Sequence, residues 1–302
     1  MENFVNEPEY VRHAVLSYPN INSEFLDKIV KTAAATITYD SAQLIVNNPN
    51  ILPSTIDYFA KTIKDRDRLF LIAKNKTVVL PETLDYLAKT AGWVVQYAVL
   101  SNNRVMPETL DWLIKKDLLN TSQVELIFRI LQNPNTLSST LDYVAKNSKN
   151  TDLIGYAIKH PNITELTLDF LSRSEEVSIR SEVARNPKIS SDIFNRLARD
   201  KVPYVRSYIV ANPKVSPGIL DYLGRKDISL SVRWAVAYHA LNTPIETLEY
   251  MAKHDPDSHL RDTIKDVISK RQEREKEPFI VQENRQKQYI NSLFLTNLLF
   301  DF

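Results

Sequence analysis

The sequence predicts an all-α fold, a right-handed α-solenoid of about nine short two-helix repeats with a helical C-terminal tail. Three observations predict it: a recurring motif, a scarcity of glycine and a helical apolar period. The motif is Asn-Pro, an apolar residue, a short Ser/Pro stretch, then Leu-Asp-Tyr-(Leu/Val)-Ala-Lys. It is clearest from Asn133-Pro134 to Lys146, from Asn212-Pro213 to Arg225 and from Asn48-Pro49 to Lys61. With the Leu of Leu-Asp-Tyr as marker, the repeats fall at Leu26, Ile56, Leu84, Leu110, Leu141, Leu168, Phe194, Leu220 and Leu248, spaced 26–31 residues apart. Units this short cannot bury a core alone, so they must stack on their neighbours.

Each unit reads as two helices. The first carries segments such as Val205-Arg206, Ile179-Arg180 and Val232-Arg233, and it stops at Asn-Pro because proline disfavours a helical predecessor and has no amide proton. The second often opens with proline, at Pro53, Pro81, Pro107 and Pro217, where a first-turn residue needs no intrahelical amide bond. Along it, the marker and the apolar residue three further on, such as Leu84 with Leu87 or Leu220 with Leu223, share the face expected to form the core.

Composition narrows the function. Only 4 Gly in 302 residues leaves little for a phosphate-cradling loop, and the absence of Cys excludes disulfides, thiolate-held zinc and conventional iron–sulfur clusters. No apolar run is long enough to span a bilayer and the first residues lack signal-peptide character, so the expected location is the cytoplasm. The expected domain organisation is one repeat array over 1–268, a charged helix end or linker over 269–288, and an apolar tail over 289–302.

The segment Val-Arg-x-x-Val-Ala-x-Asn-Pro followed by a Leu-containing helix resembles the leucine-rich repeat variant family, a relative of HEAT and armadillo solenoids. The likeness is closest over residues 177–225, looser from 40 to 170, and altered where His239-Ala240 replaces Asn-Pro. It implies alternating short helices wound into a superhelix, and no single activity. Some relatives carry an N-terminal iron–sulfur cluster; this chain lacks the cysteines for one.

Charge repeats as well. Basic residues stand five positions after the marker, from Lys31, Lys61 and Lys89 to Arg225 and Lys253, and an acid stands four positions before nearly every one, from Asp27 and Asp57 to Asp221 and Glu249. That acid-before-base order is the favourable i,i+4 pairing and describes a solvated face better than a phosphate track. A basic excess remains between Arg173 and Arg233, with 12 Lys/Arg against 7 Asp/Glu. Arg180, Arg206 and Arg233 occupy one equivalent place, so stacking puts them in a row. With Arg185, Lys188 and Lys214 they form a candidate groove for DNA, RNA or an acidic partner, weighed against the plainer reading that they cover apolar surface and find local acids.

An aromatic row follows the repeated acid: Tyr58, Tyr86, Trp112, Tyr143, Phe170, Tyr222 and Tyr250. Packing between adjacent units is the plainer role; on an open surface the rings would stack on bases or anchor a peptide.

Catalytic signals are poor. His254-Asp255-Pro256-Asp257-Ser258-His259 gathers imidazoles and carboxylates, but it reads better as an inter-helix turn with an Asp near the next helix start than as a metal site. No Walker loop or nucleophile elbow is readable. Asp111-Trp112 is similar to the carboxylate and tryptophan of helical-repeat DNA glycosylases, yet it occupies ordinary repeat positions. No catalytic residue, metal or cofactor is expected.

The final residues are unusually apolar. Ile290, Leu293, Phe294 and Leu298 approximate one helical face that could cap the array. Alternatively, Ser292-Leu293-Phe294 and Phe300-Asp301-Phe302 resemble the C-terminal sliding-clamp-binding peptides of T4-type phage DNA polymerases. That likeness implies Leu293, Phe294, Leu299, Phe300 and Phe302 as anchors, with Asp301 meeting a basic rim. Together these features predict a non-enzymatic adaptor for protein partners, with a sliding clamp of phage replication or transcription as one candidate. The alternatives are a nucleic-acid-binding solenoid and, third, a glycosylase-like enzyme.

Overall fold

The computed structural model describes residue 4 and residues 6–116, 124–239 and 242–275. Among these residues the regular structure is α-helical with no strand, and the helices alternate as predicted. First helices of successive pairs are α1 (Glu9–Leu16), α3 (Tyr39–Asn47), α5 (Arg66–Lys74), α7 (Trp93–Leu100), α9 (Val124–Gln132), α11 (Thr151–Lys159), α13 (Val177–Arg185), α15 (Pro203–Ala211) and α17 (Leu230–Tyr238). Second helices are α2 (Ser23–Ala33), α4 (Pro53–Thr62), α6 (Pro81–Thr90), α8 (Pro107–Lys116), α10 (Ser138–Asn147), α12 (Glu165–Leu171), α14 (Ser191–Leu197), α16 (Pro217–Lys226) and α18 (Ile245–His254). A longer helix, α19 (Ser258–Glu275), follows and carries the charged run at its end.

The chain divides into two compact units, Met1–Leu168 and Asp169–Phe302. The sequence reading drew one array over 1–268, and its periodicity runs through the division without marking it. Within the first unit, first helices pack on first helices from α1 to α11 and second helices on second helices from α2 to α10. Within the second, α13, α15 and α17 form one layer, α16 packs on α18, and α18 packs on α19. This is the α-solenoid arrangement, each pair burying its apolar face on the next.

The predicted stripe is the core. The markers Leu26, Ile56, Leu84, Leu110, Leu141, Leu168, Leu220 and Leu248 are fully buried, with Phe194 nearly so. Their partners three residues on, including Phe59, Leu87, Val144, Leu223 and Met251, are buried beside them. Each such side chain contributes about 1.5–3 kcal/mol by leaving water. Pro53, Pro81, Pro107 and Pro217 each open a helix, as their missing amide allows. Gly224 stands where Ala60, Ala88 and Ala145 stand in other repeats. A Cβ there would lie 2.8 Å from Met251 Sδ and 2.9 Å from Thr247 Cγ2, so α16 and α18 approach too closely for one.

The Asn that ends the first helix does more than precede a proline. Asn102, which holds that place although Asn103 follows it, is buried; its Nδ2 donates to the carbonyls of Ala73 and Asn75 in the preceding turn, at 3.0 and 2.9 Å, while its Oδ1 accepts from Arg104 N. Asn212 repeats the arrangement on Ala184 and Asn186, with Oδ1 accepting from Lys214 N. Each carboxamide thus satisfies helix-end carbonyls of one pair and shapes the turn of its own. His160 fills the same place by the same logic. Its Nδ1 accepts from Asn162 N at 3.0 Å and its Nε2 lies 3.0 Å from the Asn133 carbonyl, which fixes the Nε2–H tautomer.

Candidate interaction surface

The second helices carry a repeating constellation of Thr, Asp, aromatic and Lys. In the first unit, Asp57 accepts from Lys61 Nζ on its own helix and from Thr83 Oγ1 on the next, both at 2.7 Å. Asp85 is held in the same way by Lys89 and Thr109, and Asp111 by Lys115 and Thr140. Asp27 with Lys31 and Thr55, and Asp142 with Lys146 and Thr167, complete the series. These threonines are fully buried or nearly so. The acid–base pairs are therefore the expected i,i+4 pairs, but the acid also staples successive second helices together. Hydrogen bonds from Lys31 and then Thr55 hold the Asp27 carboxyl below its ordinary range. At Asp57 burial pushes upward, and the bonds from Lys61 and Thr83 outweigh it. In the second unit, Asp221 accepts from Thr247 and Arg225, and Asp169 from Arg196 and Arg173.

The aromatic row stands beside these staples. Tyr58 is 38% exposed, Phe170 47% and Tyr222 41%. Tyr86, Trp112, Tyr143 and Tyr250 are half-buried. Cations lie over several rings: Lys116 Nζ is 4.4 Å and Lys89 Nζ 5.7 Å from the Trp112 centroid. Arg199 and Arg225 cover Tyr222 and Tyr250 at 5.0 and 4.4 Å. Trp112, Tyr222 and Tyr250 thus each lie partly under a cation, the geometry of a cation–π contact.

Arg180, Arg206 and Arg233 share one register, as the sequence indicates, but they do not form an exposed row. All three are buried. Arg206 meets Asp227 through two bonds, Nε to Oδ2 at 2.6 Å and Nη2 to Oδ1 at 2.7 Å, and its Nη1 donates to the Asp200 carbonyl. Arg180 grips Asp200 and the carbonyls of Ser174 and Glu175; Arg233 grips Asp255 and the Asp227 carbonyl. Arg261 continues the series onto the Asp255 carbonyl. Each of Asp200, Asp227 and Asp255 therefore takes one guanidinium on its carboxylate and the next on its backbone. These Arg donors are committed inside the unit, which removes them from the anion groove. Hydrogen bonding to Asp200 and Asp227 raises the pKa of Arg180 and Arg206. The sequence reading placed these arginines in register but missed their partners; the recurrence of Asp200, Asp227 and Asp255 about twenty residues downstream was the available signal.

The other groove candidates, Arg185, Lys188 and Lys214, are exposed. Arg185 donates to Glu182 and lies 3.7 Å from the Tyr208 ring centroid. Burial, then the hydrogen bond with Tyr204, pushes the Tyr208 phenol up to about 12. At residues 254–259, Asp255 is the clamp for Arg233 and Asp257 Oδ1 accepts from Leu260 N at the start of α19, the geometry of a turn and helix cap. Among the described residues no group of three or more His, Cys, Asp or Glu could hold a metal ion, and no helix is long and apolar enough to cross a membrane. The tail candidates Leu293, Phe294, Leu298, Leu299, Phe300, Asp301 and Phe302 lie outside the described residues.

Stacked helix pairs, stapled by recurring polar bonds and presenting a repeated surface, define an α-helical repeat protein, a class whose architecture suggests an interaction role. Among solved structures the chain is similar to one described as a leucine-rich repeat variant with a novel repetitive protein structural motif. Identity is 18%, the match covers 80% of this chain and 94% of that one, and the TM-score is 0.50. The leucine-rich repeat variant fold expected from the motif is thereby supported. No protein-family model and no curated relative matches the sequence.

Proposed function

We propose that this chain is a non-enzymatic scaffold that binds a protein partner along its second helices. One observation carries the reading: partly open aromatic rings recur at the same place from pair to pair, several beneath a cation, on helices locked by Asp–Thr bonds. Rigid aromatic anchors contribute contact area at low entropic cost, and aromatic and Arg residues dominate interface energies. The test places a photo-crosslinking amino acid at Tyr58 or Tyr143 in the row, and at Tyr39 or Tyr156 on the first helices. Protein adducts at the row sites alone support the reading. Adducts at the first-helix sites alone, or at none, sink it.

A second reading draws on the exposed cations Arg185, Lys188 and Lys214 and takes nucleic acid as ligand. Retention on DNA or RNA that weakens steeply with salt and is lost in Arg185→Glu with Lys214→Glu supports it; unchanged retention removes it. Docking through residues 289–302, onto a sliding clamp or another protein, is a further proposal from the sequence. Deletion of that segment tests it by loss of clamp binding.

A further inference from the structure

We propose that the second unit contains a hinge: α14 and α16 part along their facing sides, while the arginine–aspartate relay of the first helices holds as the pivot. The hinge is independent of what the second helices bind. Its basis is one interruption of the staple ladder. From α2 to α12 the acid after each marker accepts from the threonine that precedes the next marker, as Asp57 does from Thr83 and Asp85 from Thr109. Asp221 and Thr247 make the same bond between α16 and α18. Between α14 and α16 both members are replaced: Asn195 stands at the acid's place and Ile219 at the threonine's. The bonds of α14 lead back, from Arg196 to Asp169 at 2.8 Å. Those of α16 lead forward, to Thr247 and to the Glu246 carbonyl. Among the described residues no hydrogen bond or ion pair joins α14 to α16.

Packing follows the bonds. α16 lies against α17 and α18, so closely at Gly224 that a Cβ there would stand 2.8 Å from Met251 Sδ. Its α14 side is held by Arg199, just past the end of α14, whose guanidinium lies 5.0 Å from the Tyr222 centroid. Both residues are exposed, and a cation–π contact in water is a weak tie. The other layer is fastened differently. α15 lies against both α13 and α17. Arg180 grips the Asp200 carboxylate, Arg206 the Asp200 carbonyl and the Asp227 carboxylate, and Arg233 the Asp227 carbonyl. These buried ion pairs link all three first helices and resist opening, because parting would strand a desolvated charge. A pair of layers pinned on one side and released on the other bends at the released step. Bending uncovers the flank of α16 that carries Ile219, now 8% exposed, at the place from which Thr83 and Thr109 reach the preceding helix.

The chain has no Cys, so thiol spin labels sit only where a cysteine is introduced. Double electron–electron resonance on the full chain compares three pairs of exposed sites. Asp192→Cys with Lys226→Cys spans the seam, Lys226→Cys with Lys253→Cys spans the stapled α16 and α18, and Ser178→Cys with Ala211→Cys spans the pivot layer. The seam pair should show a second, longer distance, and the other two a single narrow one. Supplying the missing partners by Asn195→Asp with Ile219→Thr should lower the longer-distance population at least about tenfold, the factor that a hydrogen bond to a charged group supplies. Tyr222→Ala should raise it roughly two- to fivefold by removing an exposed cation–π contact. A single narrow distance across the seam, or equal breadth at all three pairs, overturns the proposal. So does a double variant that is native by circular dichroism and leaves the longer-distance population unchanged. Should that variant not fold, Tyr222→Ala decides, and an unchanged population there removes the hinge.

Discussion

Removing the Arg206 guanidinium should be among the most damaging single changes in the second unit. Arg206→Ala strips two bonds from Asp227, whose side chain is 3% exposed, and leaves that carboxylate with the Ser229 amide. It also frees the Asp200 carbonyl from its donor at 2.7 Å. Taking one partner from a buried ion pair typically costs about 3–5 kcal/mol, because the remaining charge stays desolvated without compensation. The loss is measured by urea unfolding of the full chain. Asp227→Ala and the double variant complete a cycle, and a coupling energy of about 2 kcal/mol or more is expected for groups in direct contact. Salt should change the result little, since a buried pair is poorly screened. A cost below about 1 kcal/mol, or a coupling near zero, would refute the reasoning, because an exposed arginine behaves in that way.

Four other changes probe the remaining contacts. His160→Asn should fold with nearly native stability because a carboxamide supplies the same donor and acceptor, whereas His160→Leu should cost about 1–3 kcal/mol by leaving the Asn133 carbonyl and Asn162 amide without their partner; thermal melts of the pair decide. Thr109→Val preserves shape but removes the bond to Asp85, and chemical unfolding should register a loss of about 1.5–3 kcal/mol, typical of a bond to a charged group. Gly224→Ala should destabilise by about 1–3 kcal/mol through overpacking against Met251 and Thr247, and the double variant with Met251→Ala should cost less in a melt than the two single changes summed. The lowered pKa of Asp27, Asp57 and Asp221 means that the unfolded chain binds their protons first. Their contribution is complete above the ordinary value of 3.8 and lost as pH falls through the lowered values, visible as steepening acid unfolding that Asp57→Asn weakens.

The fold was legible because local rules agree from repeat to repeat among the described residues. Markers such as Leu84 and Leu220, the opening prolines and the Asn-Pro stops each fix one feature within a few residues, and those features are where the sequence placed them. The surface was legible only in register. Arg180, Arg206 and Arg233 do align, but whether an aligned side chain turns outward depends on what faces it, and Asp227 faces Arg206 from 21 residues away. A similar separation along the chain hid the staples. Thr83 precedes its marker as Thr55, Thr109 and Thr140 do, a recurrence visible in the sequence. Its partner Asp57 lies on the previous pair, and nothing within one helix announces the bond. His160 shows the converse: its residue type does not match the motif's asparagine, yet both ring nitrogens are bonded where asparagine stands in other repeats.

The linked guanidinium–carboxylate chain from Arg180 to Arg261 constrains how this protein can change length over generations. Excising one helix pair there would strand an ionised group in a dry interior unless the deletion kept the register of both its flanks. At four of the six corresponding places in the first unit stand Ala42, Leu69, Ile127 and Ile154, all buried and apolar, which make no comparable demand on a newcomer; Arg12 and Gln96 hold the other two. Duplication and loss of repeats should therefore be tolerated more readily in the first 168 residues than beyond them.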